Sequence, residues 1–212
     1  MDSEMSWKEV SGYLKWGRPI IIKNLGEGEF GGFCRETKGE FARLQPQAPK
    51  FRQSINKTNF RYGVFGLSIY RVLVNDFGFE KERAVGLLTE IMCGVTKQDI
   101  EHSLFTRLSL SSVAKLKPLK SMMERSMFSL SEQDGWFIRK AESEAYLAFD
   151  VRQCGLVKWL GEQGAPEICS AFCETDHVSA KYMKGLRFVR AKTLANGDDL
   201  CDFRYFKEHE DK

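Results

Sequence analysis

The chain has 212 residues, 42% of them hydrophobic and 29% charged, with a formal net charge of +3. That balance describes an ordinary globular domain able to bury a core without disulfide staples. Lys and Arg alternate with Asp and Glu, so the basic footprint of a nucleic-acid binder is missing.

Residues 1–52 read as irregular: a short amphipathic helix near Trp7 to Trp16, then Gly- and Pro-containing sequence. Phe30, Phe33 and Phe51 there are expected to pack in a core rather than form a lid. Residues 53–135 read as mostly helical. Phe65, Leu67, Ile69, Tyr70, Leu73 and Val74 crowd one face, and Asn75-Asp76 with Gly78 marks the stop. Glu80 to Phe105 predicts one or two more helices, with Leu87, Leu88, Ile91 and Val95 at helical spacing. Val113 to Phe128 predicts a weaker helix interrupted by Pro118.

From Trp136 the period changes. Tyr146 to Val151 alternates like a strand and runs into Arg152-Gln153-Cys154, and a short helix follows over Leu156 to Gly161. Pro166 opens a further helix, expected to reach about Met183. Leu186 to Leu194 and Leu200 to Phe206 predict two closing strands joined by an Asn196-Gly197 turn. The expected fold class is α+β: a single domain over 1–212, with a helical part over 1–135 packed on a small antiparallel sheet with helices over 136–207.

The first residues, M-D-S-E-M-S-W-K-E, are polar and acidic, and the apolar run Pro19 to Ile22 is too short to cross a bilayer. The expectation is a cytoplasmic protein with no membrane and no nucleic-acid partner. Basic runs such as Lys115-Leu116-Lys117 and Lys181 to Arg190 read as solvated faces. In a reducing compartment the six cysteines are expected to be thiols or metal ligands.

Two motifs fail on context. Gly26-Glu27-Gly28-Glu29-Phe30-Gly31 matches a dinucleotide fingerprint after the strand-like Ile20 to Ile22, but the sequence after it reads as a poor helix, and Phe51-Arg52 stands where an acidic residue is needed. Asp76-Phe77-Gly78 spells a kinase motif, yet the three histidines, His102, His177 and His209, all follow it, so no catalytic loop precedes it.

The chemistry concentrates near the C-terminus, where Cys154, Cys169, Cys173 and Cys201 lie among Asp176, Asp199 and Asp202. On the helix after Pro166, Cys169, Cys173, Asp176, His177 and Ala180 recur at i, i+4, i+7, i+8 and i+11, one stripe of two thiols, a carboxylate and an imidazole. Free cysteine packs as a small hydrophobe, so each thiol alone reads as core. Asp176 on an inner face needs a partner or a function. Cys154, Cys173, Cys201 and Asp176 have donor types that suit a divalent metal such as zinc, without the paired C-x-x-C spacing of a structural site, so no metal ligand is assigned.

Asp150 to Cys154, Gly164-Ala165-Pro166-Glu167, Cys173-Glu174-Thr175-Asp176, Arg190 to Gly197 and Cys201-Asp202-Phe203-Arg204 together resemble the L-2-amino-thiazoline-4-carboxylic acid hydrolase family over roughly residues 136–207. The cysteine after a strand, the Pro-led helix with a second cysteine and the terminal strand are also similar to 4-vinyl reductase-like ligand-binding domains, which resemble the transport-particle fold. The first resemblance implies hydrolytic opening of a cyclic amidine to a carbamoyl-cysteine. It implies Cys173 as nucleophile or ligand, Asp176 as general base, and Cys154 and Cys201 completing the pocket. Arg190 or Arg204 would bind the substrate carboxylate, with Thr193 and His177 as further binding residues. The implied partner is a small molecule, and a homo-oligomer is an open expectation.

Overall fold

The structure, a computed structural model, describes residues 7–49, 54–128 and 135–208. The segment expected to be irregular folds instead as two long helices, α1 (Trp7–Leu25) and α2 (Phe30–Leu44). Val10, Leu14 and Ile21 on α1, and Phe33, Phe41 and Leu44 on α2, are almost fully buried. Burying such side chains is worth about 1.5–3 kcal/mol each, which outweighs the roughly 1 kcal/mol cost of each glycine inside a helix. Pro19 lies inside α1, so Ile20 to Ile22 is helical rather than strand-like. The glycine run after it does lead into a helix, but a helix rather than a strand precedes it. Phe33 is core as expected, meeting Phe77 edge-on at 5.8 Å, whereas Phe51 lies outside the described residues.

The central helix is α3 (Ser54–Asn75), buried on nearly all sides through Val64, Phe65, Leu67, Ser68, Ile69, Tyr70, Val72 and Leu73. Its end is the Asp76-Phe77-Gly78 turn. Phe79 N–H donates to the Leu73 carbonyl at 2.9 Å while Gly78 takes φ +66°, so D-F-G here is a helix stop. The next helix, α4 (Lys81–His102), buries Leu87, Leu88, Ile91, Met92 and Val95. Then come α5 (Leu104–Ser112) and α6 (Lys117–Phe128). Pro118 is the second residue of α6, where its missing N–H costs nothing, so it starts the helix instead of interrupting it.

A four-stranded antiparallel sheet follows, in the order β1-β2-β4-β3. The edge strand β1 (Phe137–Lys140) is one that the sequence pattern did not reveal. It pairs with β2 (Leu147–Gln153), which pairs with β4 (Cys201–Lys207), which pairs with β3 (Leu186–Val189). Between β2 and β3 lie α7 (Gly155–Glu162), a short 3-10 turn over Pro166–Ile168, and α8 (Cys169–Ala180), which ends three residues before Met183. The β3–β4 connection is a longer loop than a two-residue hairpin: Leu194–Asn196 form a 3-10 turn and Gly197 closes it at φ +88°.

Register divides the sheet into two unlike faces. Leu147, Phe149 and Val151 oppose Tyr205, Phe203 and Cys201. This face is aromatic, with Phe149 stacked on Phe203 at 4.7 Å and Phe188 on Tyr205 at 4.8 Å. The other face carries Asp150, held by Arg204 at 2.8 Å and Arg152 at 3.3 Å. The fold is α+β.

Two glycines let α3 approach the helices behind the sheet. A Cβ on Gly63 would lie 2.3 Å from Leu156 Cδ2, and one on Gly66 would lie 2.5 Å from Phe172 Cζ. Phe172 is a buried ring that cannot fold away as a flexible chain end does. Gly66→Ala is therefore expected to lower stability by about 1–3 kcal/mol through overpacking, despite alanine's better helix propensity. Gly86→Ala on α4, with nothing within 4 Å of the new methyl, should be neutral or stabilising by up to about 1 kcal/mol. Urea unfolding of both variants checks the contrast, and equal midpoints would refute it.

Candidate active site

Cys154 sits where β2 ends and α7 begins. Its backbone is extended (φ −122°, ψ 116°), the N-cap conformation of that helix. Gly155 follows, and a side chain there would meet the Gly135 carbonyl at 3.1 Å and the Trp136 ring at 3.1 Å. The missing Cβ lets the Trp136 indole lie against the helix start, where its N–H reaches the Cys154 sulfur.

Cys169 opens α8 and also reaches Cys154. The Cys169 thiol beside it is the largest influence holding the Cys154 thiol below the usual thiol range. Burial opposes it. The amides of Val157 and Leu156, which the sulfur approaches without closing a full capping bond, pull the same way as Cys169, as does Trp136. Cys169 itself is pushed well above the usual range by Cys154, then by Cys173, then by burial. The two thiols are therefore shifted in opposite directions, Cys154 down and Cys169 up.

Cys173 lies one turn further along α8, within hydrogen-bonding reach of Cys169. Cys201 closes the group from β4, opposite Val151 of β2. Burial pushes its thiol up to about 12, although the Leu194 N–H, 3.2 Å from Sγ, works against that rise. Cys154 and Cys173 also act electrostatically on Cys201, so four thiols from three elements converge. Cys34 on α2 and Cys93 on α4 are not part of the group, and burial raises both.

The polar half of the site is an ion pair. Arg190, just beyond β3, donates to Asp176 Oδ2 at 2.6 Å and to the Cys173 carbonyl at 3.1 Å, and lies 3.4 Å from His177 Nε2. Its guanidinium also packs over Phe203 and Phe188, and only 3% of the side chain is exposed. Asp176 keeps 38% of its side-chain surface, yet burial pushes its carboxyl up to about 6 against the pull of Arg190. Asp176 is thus crowded by protein while one edge of it stays open to solvent. Cys154 and Cys173 are likewise half-buried.

Not every candidate residue joins this group. Arg204 projects from the opposite sheet face, donating to Asp150 Oδ1 and to the Phe149 and Phe203 carbonyls. It is a lock between strands. Thr193 is a cap: its hydroxyl accepts from Asn196 N–H and its own N–H donates to Asp198, which shapes the loop that delivers Leu194 to Cys201. Asp202 accepts from the Ala191 and Lys192 amides, and Asp199 pairs with Lys192 in solvent, so neither carboxylate faces the thiols. Arg190 is at the site, but buried behind Asp176 rather than presented to a solute. Among the described residues no group of three or more His, Cys, Asp and Glu side chains is arranged to hold a metal ion.

The family model of L-2-amino-thiazoline-4-carboxylic acid hydrolase matches residues 58–205. The chain belongs to the L-2-amino-thiazoline-4-carboxylic acid hydrolase family. The match begins on α3, so the central helices belong to the family's domain as much as the cysteine-bearing part does. No curated protein and no solved structure matches the chain.

The thiol ordering is open to direct measurement. Cys154 is expected to react with iodoacetamide faster than the other five cysteines at pH 7, because its lowered pKa raises its thiolate share. Its rate should rise with pH around a midpoint below the usual value of about 8.5, and Cys169→Ala should move that midpoint upward. Mass spectrometry of labelled peptides gives the order. Earlier labelling of Cys201 would contradict it.

Proposed function

We propose that the protein is a thiol-dependent hydrolase that opens a small cyclic amidine of the 2-amino-thiazoline-4-carboxylate type, with Cys154 rather than Cys173 as nucleophile. The observation that carries the reading is the Cys154 environment: a thiol at the N-cap of α7 beside Cys169 and Trp136, with Asp176, a carboxyl of raised pKa, on the same helix as Cys169 and Cys173. A structural thiol needs no such set of donors.

The steps balance as a hydrolysis. The Cys154 thiolate adds to C2, the carbon between ring nitrogen and ring sulfur. The C2–S bond then breaks, and the departing sulfur takes a proton, leaving an isothiourea joined to Cys154. Asp176, ionised above about pH 6, removes a proton from water as it adds to the same carbon. Asp176 passes that proton to the former ring nitrogen, the added hydroxyl gives up its own proton to replace the one the departing sulfur took from solvent, and the C–S bond to Cys154 breaks last, releasing an N-carbamoyl product and restoring the thiolate. Cys169 stabilises the thiolate at both ends of the cycle. Arg190 holds Asp176 in place and is a positioning residue, and His177 beside it lines the polar side.

Turnover of 2-amino-thiazoline-4-carboxylate by the purified protein tests the reading. Cys154→Ala should fold normally and lose activity by at least about a hundredfold, and Asp176→Asn should lower kcat by roughly 10²–10⁴. Because the base works ionised, the wild-type rate should rise with pH through about 6, and that inflection should vanish in the residual activity of Asp176→Asn. A Cys154→Ala enzyme of normal activity would remove the covalent route. Binding without turnover in the wild type would make the chain a ligand-binding module.

A further inference from the structure

We infer that α5, α6 and the link between them form a docking surface for an anionic phospholipid membrane. The five large hydrophobic side chains that stand exposed among the described residues all fall in one stretch of sequence. They are Leu104, Phe105 and Leu108 on α5, Leu116 in the link and Met122 on α6, with Phe105 the most exposed at 77%. Positions 104, 105 and 108 share one side of their helix, so the exposure on α5 is a patch rather than a scatter.

Charge concentrates in the same place. Residues 104–128 hold Arg107, Lys115, Lys117, Lys120 and Arg125 against Glu124 alone, an excess of four. The whole chain has an excess of three, so everything outside this stretch is net acidic by one. On α6, Lys117, Ser121 and Arg125 recur once per turn and, with Pro118 and Met122, line an open groove of about 460 Å³. The opposite side of α6 is already used, since Met123, Met127 and Phe128 pack against the core. The exposed side is therefore free of any folding duty.

This mixture suits a lipid interface. Apolar tips can enter the acyl boundary while the long Lys and Arg side chains reach back to the phosphates. An anionic leaflet attracts such cations. No helix of the described residues is long and apolar enough to cross a membrane, so the association is peripheral. The lysines here, which the sequence reads as solvated, acquire a partner, and the proposal stands apart from the hydrolase reading.

Cosedimentation of the full chain with phosphatidylcholine vesicles, with and without phosphatidylserine, tests it. Binding is expected on the anionic vesicles, weaker on the neutral ones, and reduced by added salt. The double variants Phe105→Ser/Leu108→Ser and Lys117→Glu/Arg125→Glu should each weaken binding by roughly tenfold or more. All four residues are exposed, so circular dichroism should show an unchanged fold. Absence of binding to anionic vesicles, or binding unaltered in both variants, would overturn the proposal. A wild-type dimer that Phe105→Ser/Leu108→Ser turns into a monomer, without vesicle binding, would also overturn it and make this face a contact between copies.

Discussion

The close approach of α3 to α7 and α8 is the constraint on which the site depends. Gly63 and Gly66 remove the side chains that would hold the helices apart, so Leu156 and Phe172 rest directly on the α3 backbone. The same helix reaches the segment between α7 and α8: the Tyr70 hydroxyl donates to Glu167 at 2.5 Å, and Arg71 donates to the Gln163 carbonyl at 2.9 Å. Cys154 begins α7 and Cys169 begins α8. Their thiols meet because α3 holds the start of α7 and the turn before α8, while α4 packs along α8. This gives a physical reason for the family match to begin on α3 rather than at the first cysteine.

Thiolate chemistry in a protein interior requires donors in place of water. Here they come from unlike sources, a neighbouring thiol, an indole and two backbone amides, none of which carries a formal charge. A cation would lower the thiol further, but it would also bind it as an ion pair and blunt its nucleophilicity. Arg190, a cation near the group, is occupied instead with Asp176. The proposed nucleophile and the proposed base thus keep separate partners.

Much of this was legible in the sequence, and the failures have physical causes. The α8 stripe, the Asp176 carboxylate and the α+β class follow from spacing alone. The two N-terminal helices do not, because glycine and proline argued locally for irregular chain, whereas burial of Phe33, Phe41, Leu14 and Ile21 decided the outcome. β1 is four residues long and half exposed, too brief to show a period. Trp136 is brought to Cys154 by tertiary packing that no spacing encodes. Arg204 was recoverable: it stands three positions from Cys201 on one strand, and odd separations on a strand lie on opposite faces. Cys154 was recoverable as well, since a polar side chain directly before a helix start occupies the N-cap.

The burial of Arg190 ties chemistry to folding. A guanidinium with 3% exposure has lost nearly all of its water and must find that solvation in Asp176, the Cys173 carbonyl and the aromatic faces of Phe203 and Phe188. Lysine would supply the charge but not the planar fork that serves two acceptors on α8 at once. The carboxylate, in turn, is not held as deeply as its partner: it keeps an accessible edge and a pKa near 6. A buried cation anchored on an aromatic sheet and a carboxylate open on one side form an asymmetric pair. The sheet fixes the arginine, the arginine fixes the carboxylate, and only the last member of that chain meets solvent.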